Sequence, residues 1–124
     1  MTYLEQMFNK FNGDYFGGRV PRLDIRFSSL HIPEWGYCCQ DYIIISPVLK
    51  KYQLACEGIV IHEMIHAYLY EDDHTRPFMD LQRKINKRHF GNKGNHAIHF
   101  DKMIKDLTKR GRYDILNHNP LGGL

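Results

Sequence analysis

A chain of 124 residues, 43% hydrophobic and 25% charged, has the size and balance of one globular domain, which excludes a disordered tail and leaves no room for two full domains. No apolar run approaches the length that crosses a bilayer, and Met1-Thr2-Tyr3-Leu4-Glu5 has no basic stretch ahead of an apolar one, so an intracellular, monomeric protein with no membrane contact is expected. The net charge of +3 conceals an asymmetry: residues 1–74 hold 6 Lys/Arg against 10 Asp/Glu, and residues 75–124 hold 11 against 4.

Residues 2–12 place Tyr3, Leu4, Met7, Phe8 and Phe11 at helical spacing, and Gly13, Gly17 and Gly18 then interrupt the pattern. An amphipathic helix opens the domain. After Pro21, Leu23, Ile25 and Phe27 alternate with Asp24, Arg26 and Ser28, the period of a half-buried strand. Residues 35–39 and 42–46 read as two further short strands, with Gln40 and Asp41 in the turn and Pro47 as the stop. Residues 54–70 form a long helix that is apolar nearly all round, and such a helix is central rather than superficial.

Thr75 suits the cap of a third helix with Pro77 in its first turn, where Phe78, Leu81 and Ile85 form an apolar stripe opposite basic residues. Gly91 and Gly94 end it. A last helix from about Ala97 carries Phe100, Met103, Ile104 and Leu107 on one face, stops at Gly111, and leaves residues 113–116 for a closing strand. The expected fold class is α+β, with a small, mostly antiparallel sheet packed on helices. Cys38, Cys39 and Cys56 are an odd count, two of them adjacent, which spells neither a disulfide framework nor a zinc knuckle.

Chemistry concentrates in His62-Glu63-Met64-Ile65-His66. On a helix the two histidines lie one turn apart on one face, roughly 5–6 Å between Cβ atoms, so both imidazoles reach one ion. Zinc suits such ligands, since catalytic sites hold it by three protein groups and a water that the metal acidifies. Glu63 is then placed to take the water proton during attack on a carbonyl and to return it to a leaving amine. Chance gives about 0.02 occurrences of this pattern at this composition. His62, Glu63 and His66 are also the only imidazole or carboxylate side chains between Ile59 and Tyr70, and burying them without partners would cost several kcal/mol.

A third ligand must come from elsewhere, among His31, His74, His89, His96, His99 and His118. His96 is preferred, because it follows Gly94-Asn95 at the mouth of the last helix. His74 is the rival: His74-Thr-Arg-Pro-Phe78 and His96-Ala-Ile-His-Phe100 both set a histidine four residues before a phenylalanine at a helix start.

The chain resembles the SprT-like zinc metalloproteases, of the Spartan type. The likeness rests on Phe11-Asn12, Tyr15-Phe16-Gly17-Gly18, Phe27-Ser28, Gly36-Tyr37-Cys38, Ile45-Ser46-Pro47-Val48-Leu49 and, above all, His62-Glu63-Met64-Ile65-His66-Ala67-Tyr68-Leu69. It implies a zincin-like fold built on a central helix bearing the two-histidine motif. In that family a third His precedes a short run ending in Phe, then come a helix, a Gly and a closing strand with a His; His96, Phe100, Gly111 and His118 match that order. Two departures stand out. The link from His66 to His96 is long, as if a basic helix at about 75–93 were inserted, and Ala97-Ile98 stand where the family has Gly-Pro.

The resemblance further implies a DNA-activated endopeptidase that cuts proteins bound or crosslinked to DNA, in the nucleus or otherwise on DNA. The basic residues of the second half, with Arg83, Lys84, Lys87 and Arg88 as the expected contacts, are compatible with a polyanion partner. Substrate is expected extended along the strand near Tyr42 to Ile45. The alternative is a catalytically silent, zinc-stabilised DNA-binding adaptor; a purely structural zinc site, however, normally has four protein ligands and no need of Glu63.

Overall fold

The computed structural model describes residues 1–29, 35–91 and 97–112, the side chain of Ala97 excepted. His31, His96, His118 and the strand expected at 113–116 lie outside them. In chain order the elements are α1 (Tyr3–Phe16), β1 (Asp24–Phe27), β2 (Gly36–Cys38), β3 (Tyr42–Ile45), a 3-10 helix (Pro47–Lys51), α2 (Gln53–Leu69), α3 (Arg76–Phe90) and α4 (Ala97–Lys109).

A capping box starts α1: the Glu5 N–H donates to the Thr2 hydroxyl at 3.1 Å, and the Glu5 carboxylate accepts from the Thr2 N–H at 3.4 Å. The helix runs through Gly13, where the sequence predicted a break, and ends only at Gly17, whose φ of 61° gives the left-handed cap. The extension lets Phe16 reach the core, where it is 4% exposed. Hydrophobic burial at the last turn outweighs the weak helix propensity of one glycine.

The sheet departs from expectation. Its order is β1-β3-β2, with β1 parallel to β3 and β2 antiparallel to it, so it is mixed rather than mostly antiparallel. The tight turn at residues 39–41 forces β2 and β3 into a hairpin, and β1 then adds to the free side of β3. Central placement explains why Ile43, Ile44 and Ile45 are all buried, whereas β1 alternates between exposed and buried positions. It also overturns the expectation that substrate pairs with β3, because both sides of that strand are taken. Pro47 stops β3 as expected but then opens the 3-10 helix, with the Ser46 hydroxyl accepting from the Val48 N–H at 3.4 Å.

Helix α2 packs against α1, α3, α4, β2, β3 and the 3-10 helix. Ile59, Val60, Ile61, Met64 and Ile65 are at most 1% exposed, and each buried aliphatic side chain of this size stabilises by about 1.5–3 kcal/mol. No helix among the described residues is long and apolar enough to cross a membrane. A polar clamp joins three helices: His89 of α3 bonds the Tyr15 hydroxyl of α1 through Nδ1 and the Glu57 carboxylate of α2 through Nε2, both at 2.6 Å. Phe11 packs edge-on against the same imidazole at 4.9 Å.

Candidate metal centre

The C-terminal half of α2 carries His62 and His66 into a space closed by the turn that leads to α3. Tyr70 caps α2 in the left-handed conformation, φ 54°, and its N–H donates to the His66 carbonyl. A non-glycine residue pays roughly 1 kcal/mol for that backbone. The reversal it produces swings the Glu71 carbonyl to 2.6 Å from His66 Nδ1. Glu71 then accepts from the Thr75 hydroxyl at 2.5 Å, and Thr75 caps α3. His74 is thereby held between the two helices.

Three imidazoles converge. His74 Nε2 lies 3.2 Å from both His62 Nε2 and His66 Nε2, and the ligand atoms of the trio all fall within 4.8 Å of one another. A tetrahedral zinc with bonds of about 2.0–2.1 Å separates its ligand nitrogens by roughly 3.3–3.4 Å, so the spacing fits an ion.

The opposite ring nitrogens sharpen the case. His62 Nδ1 is 2.6 Å from Gln82 Oε1, and His66 Nδ1 faces the Glu71 carbonyl. Both partners are acceptors, so both Nδ1 atoms carry the proton and both Nε2 atoms present lone pairs. Burial also lowers the His66 pKa below its ordinary value, against the raising effect of the Glu71 carbonyl bond, which favours the neutral imidazole that binds metal. Donor set, tautomers and spacing therefore fit a divalent cation.

Phe78 floors the site. It is fully buried, with its ring centroid 5.0, 4.4 and 4.9 Å from those of His62, His66 and His74. The ring dries one side of the trio and restricts the imidazole rotamers.

Glu63 is 3% exposed and points toward β2. A methyl group at Gly36 would stand 2.8 Å from Glu63 Oε2 and 2.7 Å from Ile59 Cγ2, so only glycine lets this strand approach. Cys38, on the same strand, has its thiol pushed up to about 12, first by burial and then by the charge of Glu63. It is a neutral thiol, as is Cys56, also raised to about 12 by burial. Beside His66 opens a cavity of about 200 Å³ lined by Leu23, Cys38, Tyr70, Glu71 and Asp72 among others.

Of the residues singled out in the sequence, the fold brings His62 and His66 together with the rival third candidate, His74, whereas the preferred His96 lies outside the described residues. His89 is engaged with Tyr15 and Glu57 instead, and His99 stacks on Phe90 at 4.8 Å. Arg83, Lys84, Lys87 and Arg88 form an exposed stripe on α3; Arg83 pairs with Asp80 at 3.6 Å and Arg88 lies over the Tyr15 ring at 5.3 Å. Sequence reasoning missed Gln82 and the Glu71 carbonyl, and it gave Gly36 no role beyond the resemblance. The i, i+4 relation of Phe78 to Gln82 and of Phe78 to His74 was the available signal.

No curated protein matches the chain. A model of the SprT-like family does match it, over residues 4–99 of the 124, a span that takes in α1, the sheet, α2 and all of α3. With that match across most of its length, the chain belongs to the SprT-like family.

Proposed function

We propose that the protein is a zinc-dependent endopeptidase in which His62, His66 and His74 hold the ion and Glu63 is the general base. The carrying observation is the convergence of three imidazole Nε2 atoms, two of them with Nδ1 protons fixed by Gln82 and Glu71. This reading takes His74 in place of His96, because His74 already sits at ligand distance from both other histidines. Bound zinc would supply Lewis acidity toward a peptide carbonyl and toward water. Glu63, one residue from a ligand and buried against β2, takes the proton of the attacking water and delivers it to the departing amine. Gln82 and Glu71 fix the imidazole tautomers, and Phe78 keeps the protein side of the site dry.

The substrate lies along β2, an edge of the sheet and the strand that meets Glu63 at Gly36. Main-chain pairing on a strand edge gives affinity with little sequence preference. The family membership and the packing of the two-histidine helix against an edge strand support proteolysis. DNA activation, and a substrate bound or crosslinked to DNA, rest on the family resemblance and on the exposed stripe of Arg83, Lys84, Lys87 and Arg88.

Glu63→Gln tests the reading. It keeps size and burial, so zinc content and melting temperature should stay the same while DNA-stimulated cleavage of a protein substrate falls by at least about 100-fold, the lower range for a lost general base. Full activity in the variant removes Glu63 from the chemistry. Zinc binding with no cleavage in the unaltered protein, with or without DNA, favours the adaptor.

A further inference from the structure

A groove of about 280 Å³ lies between the 3-10 helix and the end of α4, lined by Pro47, Val48, Tyr52 and Leu107 with Lys50, Lys51, Arg110 and Arg112 around them. Its position separates it from the metal centre. Tyr52 precedes the first turn of α2 and His62 follows ten positions later, roughly 15 Å along a helix rising 1.5 Å per residue.

Two properties define what fits. The floor is chiefly aliphatic, and the tyrosine beside it is held by its hydroxyl, which donates to Asp106 at 2.6 Å. The rim is cationic, and none of the described lining residues is acidic. Lys50 and Lys51 are exposed, as are Arg110 and Arg112; Arg110 also meets Asp106 at 3.1 Å. An apolar trough inside a ring of positive charge matches a segment that offers an aliphatic side chain flanked by carboxylates.

We propose that this groove docks an acidic peptide segment of another protein, a Leu or Ile side chain seated on Val48 and Leu107 and flanking Glu or Asp side chains meeting Lys50, Lys51 and Arg112. A nucleic-acid strand fits less well. It needs an open track of cations and aromatic faces for its bases, and here the cations border a compact, chiefly aliphatic trough while Asp106 stands beside Arg110. Among the described residues an open cationic stripe lies on α3, a different helix. The docking site is independent of zinc and of Glu63, so it stands or falls apart from the peptidase reading.

The test uses the full chain with zinc and a fluorescein-labelled octapeptide of Glu pairs separated by single Leu residues. Its anisotropy should rise on titration with protein. The dissociation constant should weaken at least about tenfold in Lys51→Glu/Arg112→Glu, and again in about 0.5 M salt, with zinc content unchanged. A peptide with Gln for every Glu should bind at least about tenfold more weakly. Val48→Asp, which puts a carboxylate on the floor, should abolish binding by itself and serves as the second variant if the double one does not fold. Equal affinity of the two peptides, or of wild type and variants, overturns the proposal. So does a single-stranded oligothymidylate that loses affinity in the variants while the acidic peptide never binds.

Discussion

Two histidine clusters share the helices of this domain and obey opposite rules. Around His89 every ring nitrogen has a partner of complementary type, the Tyr15 hydroxyl on one side and the Glu57 carboxylate on the other, both at 2.6 Å. In the other cluster the Nε2 atoms of His62 and His66 each lie 3.2 Å from that of His74, with the protons of the first two rings committed to Gln82 and Glu71. The first cluster is complete as folded. The second gathers three imidazoles into a group that could hold a cation, and that difference in arrangement separates the two clusters far better than burial does.

The comparison can be broken by mutation. His74→Ala should cost more than about 100-fold in zinc affinity, beyond the 10–100-fold usual for outer partners, with the apo fold intact; retention of zinc in that variant together with its loss in His96→Ala would restore His96 as the ligand. His89→Ala should do the reverse, costing about 2–3 kcal/mol of stability by stranding the Glu57 carboxylate among helices, with zinc stoichiometry unchanged in metal analysis. If His89→Ala also strips zinc, the two clusters are not separate. Gln82→Ala, which frees the His62 tautomer, should weaken zinc by about 10–100-fold in competition with a chelator. Gly36→Ala should lower stability by about 1–3 kcal/mol through overpacking and slow cleavage by displacing Glu63, without touching zinc. Glu57→Gln is the mildest, under about 1 kcal/mol by denaturant melt, because the amide still accepts from His89.

The helices were legible because each rests on local signals: the cap of Thr75 with Pro77, and the apolar period of α1 and α4. The motif on α2 was legible for the same reason, as residues one turn apart share a face whatever the rest of the chain does. The strand pairing was not. Short strands do not declare their neighbours, and the run of Ile43, Ile44 and Ile45 was the one hint that β3 is central. The ranking of His96 over His74 relied on its place after Gly94-Asn95 at the mouth of the last helix and on the family's order of residues, whereas His74 depends on a reversal at Tyr70 that side-chain patterning does not announce. Gln82 was hidden for a related reason: a glutamine inside a basic helix looks like surface until tertiary packing buries it to 3%.

The three converging histidines all belong to the hairpin of α2 and α3, with no contribution from the sheet. An ion held there bridges consecutive stretches of chain, so loading it closes only a short loop and carries a small entropic penalty. Such a staple can form while distant parts of the polypeptide are still being assembled, docking one helix on the other early and leaving the strand that faces Glu63 to arrive last.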